Sequence, residues 1–272
     1  MVSTRDVTRD VIVVGASAGG VEALCAFAAG LPERLAASVL VVLHLPTGYR
    51  SVLPGILQRA GPLCARTARN GSPLRHGVIQ AAPPGHHLLV EGGVLALSSE
   101  PPVRGRRPAI DMLFRSAARA AGPRVTGVLL SGVLDDGVAG LSSIAGRGGT
   151  VVVQDPAEAR YPAMPELARH AVDVDHVLRA GDMGAVLDRI SRERIDVDDV
   201  PTGRPGHARE QALGVAVRTL DDKAALVARM ADRARDRGNV GIASRYDRLA
   251  QETAHAADVL RRRSADGREE RA

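Results

Sequence analysis

A serine, a histidine and a pair of aspartates each follow an apolar run in this chain. Ser17 lies in "VIVVGASAGG", His44 in "VLVVLHLP", and Asp135 and Asp136 in "GVLLSGVLDDGVAG". A hydroxyl, an imidazole and a carboxylate are the parts of an acyl-transfer site. The imidazole takes the alcohol's proton and the carboxylate holds the imidazole's tautomer. The first stretch must still be separated from a phosphate-binding turn. A dinucleotide fingerprint needs glycine at the middle of G-x-G-x-x-G and an acid ending the second strand. Ser17 stands at the former position and His44 at the latter. Both substitutions favour G-x-S-x-G, a strand-to-helix turn that lifts a serine hydroxyl off the sheet. The N–H groups of the following helix would then face a developing oxyanion.

Taken alone, each residue has a plainer role. Ser17 suits a helix cap or a phosphate ligand. His44 suits a core histidine satisfied by its neighbours, and Asp135 and Asp136, ahead of Gly137, suit a capped helix start. What sets them apart is their joint placement. In a parallel sheet the carboxyl ends of the strands share one edge, where residues distant in sequence meet.

The elements that would position them follow from hydrophobic pattern. Residues 11–14, 38–43, 125–130 and 150–153 are apolar runs without polar alternation, as strands buried on both faces are. Residues 21–29, 109–121 and 137–145 carry helical patterns between them. This alternation predicts an α/β fold, doubly wound, with a mostly parallel sheet and helices on both faces. Residues 73–99 contain Pro-Pro-Gly and Gly-Gly between short apolar runs and predict a small antiparallel flap. The main domain is expected at 10–188 and a Pro- and Gly-containing linker at 189–208. A C-terminal helical hairpin is expected at 209–265. Its seams are Leu213, Val217, Leu220, Ala224, Val227, Ala231 and Ala234, then Ile242, Tyr246, Leu249, Thr253, Ala256 and Leu260.

The composition, with 45% hydrophobic and 25% charged residues, is that of a soluble globular protein. The formal charge of +5 raises nucleic acid as a partner, but bases and acids interleave and aromatics make up only 2%. No stacking platform is available, so nucleic-acid binding is not expected. Cys25 and Cys64 lack metal-ligand spacing and read as buried, reduced thiols. The weakly charged stretch 11–31 contains Glu22 and a Gly/Ser cluster, so it reads as strand, turn and helix rather than a membrane span. A cytoplasmic location is expected.

The blocks "GASAGG", "LHLP", "VIQAAPPGHHLLV", "RRPAIDMLFRSAA", "LSGVLDDGVAGL" and "PAMPELA" occur in an order and spacing that resembles the CheB-type chemotaxis receptor methylesterase catalytic domain. The resemblance covers residues 10–185. It implies hydrolysis of glutamate methyl esters on the cytoplasmic helices of chemoreceptors, with glutamine deamidation in many members and no metal or organic cofactor. By position it implies Ser17 as nucleophile, His44 as base and Asp136, rather than Asp135, as acid. Backbone N–H groups of Ala18 and Val133 would hold the oxyanion.

This chain departs from the family pattern in three places. Ala18 replaces a threonine, and Gly132-Val133-Leu134 replaces Gly-Met-Gly. The phosphoacceptor receiver domain of the best-known members has no counterpart in the residues before the first strand, which implies a stand-alone form. Arg104, Arg106 and Arg107 are candidate contacts to an acidic receptor surface, and Met164 a candidate rim residue. The alternative is a weak or inactive enzyme acting as an interaction protein, with residues 209–265 binding a partner or regulator.

Overall fold

The computed structural model describes residues 7–44, 51–195 and 239–269, together with residues 217, 220, 221, 224, 225, 227, 228, 231, 232, 235 and 236. The chain divides into two compact units, Met1–Arg204 and Pro205–Ala272.

The first unit is built on a seven-stranded sheet whose neighbouring strands are all parallel. Its strands are β2 (Val11–Ala16), β3 (Ser38–Leu43), β4 (Cys64–Thr67), β5 (Val78–Ala81), β8 (Val125–Leu129), β9 (Thr150–Gln154) and β10 (His176–Leu178). They lie in the order β10-β9-β8-β2-β3-β5-β4. Every residue of β2, β3 and β8 is buried, the reason these runs lack polar alternation. From β2 the chain first builds outward through β3, then crosses back to build through β8, β9 and β10. The gap between the ends of β2 and β8 is therefore the topological switch point, where a doubly wound sheet opens a crevice.

Helices α1 (Gly20–Gly30), α2 (Leu53–Ala60) and α6 (Met183–Arg192) share one face. There Leu24, Phe27, Leu57, Met183 and Leu187 pack on Ile12, Val14, Val39 and Val41. Helices α3 (Ile110–Ala121), α4 (Val138–Ala145) and α5 (Ala163–Ala171) form the other layer. Helix α3 buries Ile110, Leu113, Phe114, Ala117 and Ala118, a stripe at helical spacing, and turns Arg115 and Arg119 to solvent. At the edge where strands begin, Asp10 takes a bidentate pair from Arg124 at 2.8 and 2.7 Å.

Three expectations need correction. Only β6 (His87–Glu91) and β7 (Val94–Ser98) form an antiparallel hairpin within residues 73–99. The first strand of that region, β5, inserts between β3 and β4 in parallel, because Ile79 and Ala81 are buried there. Residues 189–195 are not linker. Helix α6 runs to Arg192, and β11 (Arg194–Ile195) pairs with β1 (Val7–Thr8), with Ile190 and Ile195 buried. Cys64 is exposed rather than buried, since it lies on the edge strand β4, and Cys25 is only half-buried. The rest of the expected linker, 196–208, lies outside the described residues.

In the second unit α7 spans Val240–Glu269, and the described residues between 217 and 236 are helical. Arg261 pairs with Asp221, and Arg235 with Asp247. One partner number falls as the other rises, which is an antiparallel pairing. Thr253 is buried as the expected series has it, whereas Leu249 is 39% exposed and the buried alanines, Ala243 and Ala257, each stand one residue past an expected seam position. Alanines at that seam let backbones approach where leucine would hold them apart. Leu213, Ala234 and much of 209–236 lie outside the described residues. Among the described residues no helix is long and apolar enough to cross a membrane.

The switch point depends on a close approach: a Cβ on Gly15 would run into Cγ2 of Ile110, the first residue of α3. Gly15→Ala should lower the unfolding free energy by about 1–3 kcal/mol, the usual cost of overpacking. In a double-mutant cycle with Ile110→Ala, urea titration should find the two changes non-additive, because the smaller partner vacates the contact.

Candidate active site

Ser17, His44 and Asp136 follow β2, β3 and β8, three adjacent strands, and all three lie at their carboxyl ends. The turn after β2 closes with the Gly20 N–H donating to Ser17 O at 2.9 Å. Gly19, at φ 68°, carries the turn's left-handed residue and caps α1. Ser17 itself keeps a negative φ, so this turn presents its hydroxyl without the strained serine of a hydrolase elbow. Buried Ser131 ties the neighbouring segments to it. Its carbonyl accepts the Ser17 N–H at 3.0 Å, its hydroxyl donates to Ala18 O at 2.8 Å, and its Oγ accepts the Tyr161 N–H at 3.0 Å.

A continuous hydrogen-bond chain links the three side chains. His44 Nδ1 lies 3.0 Å from Ser17 Oγ, and His44 Nε2 lies 2.7 Å from Asp136 Oδ2. The carboxylate can only accept, so Nε2 carries the proton and Nδ1 offers its lone pair to the serine hydroxyl. This is the reverse of the chymotrypsin ring orientation, in which Nε2 faces the serine. Both the imidazole and the carboxylate are nearly sealed from solvent, at 8% and 9% side-chain exposure.

Asp136 is held from behind by a helix N-terminus. Its Oδ2 also accepts the Ile110 N–H at 2.8 Å and its Oδ1 the Asp111 N–H at 2.9 Å, the first amides of α3. These are donors that a helix leaves unpaired, at the positive end of its dipole. The favour is returned. Asp111 Oδ1 accepts the Gly137 N–H at 3.1 Å and the Gly140 N–H at 2.7 Å at the start of α4. Each aspartate thus caps the other's helix. The two helices can come this close because Gly140 faces Phe114 and Asp111 without a side chain of its own.

The two carboxyls are driven apart in acidity. Burial raises Asp136, but hydrogen bonds from His44 and the Asp111 and Ile110 amides outweigh it and hold the group below the usual carboxylate range. Burial, reinforced by the Asp136 charge, lifts Asp111 to about 6 despite Arg115 and the Gly140 amide. Asp136 is the charged partner of His44, and Asp111 is the member that resists ionisation.

The family model for CheB methylesterase matches residues 12–187. The chain belongs to the CheB methylesterase family. It is 41% identical over 183 residues to a protein-glutamate methylesterase/protein-glutamine glutaminase of Anaeromyxobacter dehalogenans, a match covering 67% of this chain and 54% of that one. A Leptospira interrogans relative is 31% identical over 188 residues, covering 69% of this chain and 97% of its own length. The crystal structure of the Thermotoga maritima CheB methylesterase catalytic domain superposes with a TM-score of 0.63 at 27% identity, covering 66% of this chain and 97% of that chain. The chain spans about half the length of several curated relatives it matches.

Within this CheB fold the remaining candidates separate. The amides of Ala18 and Val133 have no acceptor among the described residues. Gly132 sits against Ser17, where a Cβ would stand 3.0 Å from Ser17 Cβ and 2.8 Å from Met164 Sδ. Met164 is not at an open rim: it is fully buried and supports this segment from inside. Asp135 is not beside His44 but pairs with Arg104. Arg107 Nη1 donates to the carbonyls of Ser99 and Glu100, both at 3.0 Å. Arg106 alone of the three arginines reaches the site, with Nη1 2.9 Å from His44 Nδ1.

Sequence reasoning passed over two residues. Asp111 is one; its signal was an acid on the buried stripe of α3, next to Ile110. His87 is the other: fully buried, its Nδ1 accepts the Ala109 N–H at 3.2 Å and its Nε2 lies 3.3 Å from Pro101 O. One imidazole thereby fastens both ends of the arginine-bearing loop and the entry to α3.

Asp111→Asn keeps an oxygen for the Gly137 and Gly140 amides but removes the buried charge. A carboxyl raised in the fold above its unfolded value costs stability when ionised, and that cost is relieved as pH falls. The Asp111→Asn variant should therefore exceed wild type in stability near pH 7 by up to about 3 kcal/mol. The gap should close as pH falls from about 6 towards the unfolded value of 3.8. Asp111→Ala, which strands two buried amides, should lie about 2–4 kcal/mol below Asp111→Asn at every pH. Urea unfolding of the three proteins across a pH series checks both.

Proposed function

We propose that this protein hydrolyses glutamate γ-methyl esters on the cytoplasmic helices of chemoreceptors, releasing methanol, with Ser17 as nucleophile, His44 as base and Asp136 as acid. The observation that carries the reading is the unbroken Ser17–His44–Asp136 hydrogen-bond chain at the switch point of a CheB-family sheet.

His44 Nδ1 takes the Ser17 proton as Oγ attacks the γ-carbonyl. The tetrahedral oxyanion is held by the amides of Ala18 and Val133, each contributing roughly 3–4 kcal/mol by analogy with other acyl-transfer sites. The C–O bond to the methoxy group breaks, His44 returns its proton to that oxygen, and methanol leaves a Ser17 acyl ester. Water then gives a proton to His44 and attacks the same carbonyl. Glutamate leaves as Ser17 recovers its hydrogen. A receptor glutamine would follow the same course with ammonia as leaving group, and relatives bearing the glutaminase designation favour this second activity.

Tyr161 borders the turn at Gly19, and Val133 and Leu134 follow Gly132, which faces Ser17; these apolar residues, exposed by 41%, 37% and 52%, suit a protein surface as substrate. Such a substrate implies work in the cytoplasm. A hairpin at 209–265 belongs to the same reading, as the place for a partner or regulator.

Methanol release from methylated receptor should fall to background in Ser17→Ala and His44→Ala. Asp136→Asn should retain folding and lose about 10³- to 10⁴-fold in kcat, as triads with a wrong tautomer do. Undiminished release by Ser17→Ala would overturn the assignment.

A further inference from the structure

We infer that Arg106 is a latch on the base, a positioning residue that occupies the His44 lone pair until a carboxylate flanking the ester on the substrate draws it away. The nature of the substrate rests on the esterase reading above; the latch itself rests on geometry.

Imidazole Nδ1 has a single in-plane lone pair. Two donors converge on it here: Ser17 Oγ at 3.0 Å and Arg106 Nη1 at 2.9 Å. A guanidinium has no acceptor and does not lose its proton at working pH, so it can only donate to that lone pair. Catalysis converts the lone pair into an N–H bond, using the proton of Ser17. An Arg106 N–H left in place would then point at an N–H of a cationic ring. Arg106 therefore has to withdraw before the proton moves.

The backbone beneath Arg106 is fixed, so withdrawal is a side-chain motion. Val103 and Arg106 exchange N–H···O bonds of 3.1 and 2.9 Å across a two-residue turn. Its central residues, Arg104 and Gly105, have φ of 50° and 77°, the left-handed pair of a tight hairpin turn. The same turn sorts its cations. Arg104 is neutralised by Asp135, and Arg107 is bound to two carbonyls. Arg106 is half-buried, and among the described residues it has no carboxylate within ion-pair distance. Its full charge rests against a neutral nitrogen. A carboxylate offers a charge-assisted and bidentate alternative, about twice as strong as a neutral acceptor. An acidic segment beside the ester would release the base and orient the substrate in one exchange.

The test uses the full chain with Arg106→Gln and Arg106→Lys, and three probes. These are p-nitrophenyl acetate and two helical peptides carrying one glutamyl methyl ester, flanked by Glu or by Gln. Arg106→Gln should hydrolyse the small neutral ester about 3- to 10-fold faster than wild type, the latch bond being worth no more than a charged hydrogen bond. Its kcat/KM preference for the Glu-flanked peptide should disappear, through KM and kcat together, and Arg106→Lys should restore part of it. A slower neutral-ester reaction in Arg106→Gln, or an unchanged peptide preference, overturns the latch. If wild type cleaves neither peptide but hydrolyses the small ester through Ser17, the methylesterase reading fails. The neutral-ester comparison then still decides the latch.

Discussion

The site rests on an exchange of carboxylates between two helices. Asp136, at the entry to α4, takes the first amides of α3, and Asp111, in the first turn of α3, takes amides at the start of α4. Neither helix has a conventional side-chain cap of its own. A buried carboxylate without donors would neutralise itself or move to water. With two amides and an imidazole N–H it stays charged and stays put, and its position fixes the ring of His44.

The exchange also explains why two neighbouring buried acids take opposite characters. Burial pushes both acids towards the protonated form and the Asp136 charge adds to it at Asp111, while the helix-held, histidine-bonded member keeps its charge. The all-parallel sheet contributes the rest. Since strand ends share an edge, three turns separated widely along the chain face one crevice, and Ser131 with His87 stitch the loops around it.

Much of this was legible in the residues. Runs such as "VIVVGA" and "SVLVVL" announce buried strands because nothing polar interrupts them, and Ser17, His44 and Asp136 are visible because each breaks the pattern just past a strand. Other features depend on information that pattern does not hold. The place of β5 between β3 and β4 follows from pairing, not from composition, and its neighbouring Pro-Pro-Gly imitates a hairpin. Asp111 reads as an ordinary first-turn acid until α4 is placed beside it. Arg104, Arg106 and Arg107 are alike in sequence, and only the handedness of the turn sends one to an aspartate, one to the imidazole and one to main-chain oxygens. Which ring nitrogen meets the serine is likewise a matter of side-chain approach.

The clasp between β1 and β11 joins the earliest and latest described strands of the first unit. Ser17 and His44 are synthesised before Asp136, which follows His44 by 92 residues. Over that interval a growing chain carries an alcohol and an imidazole with no carboxylate to hold the ring. The clasp closes later still, since its second strand lies at Arg194–Ile195.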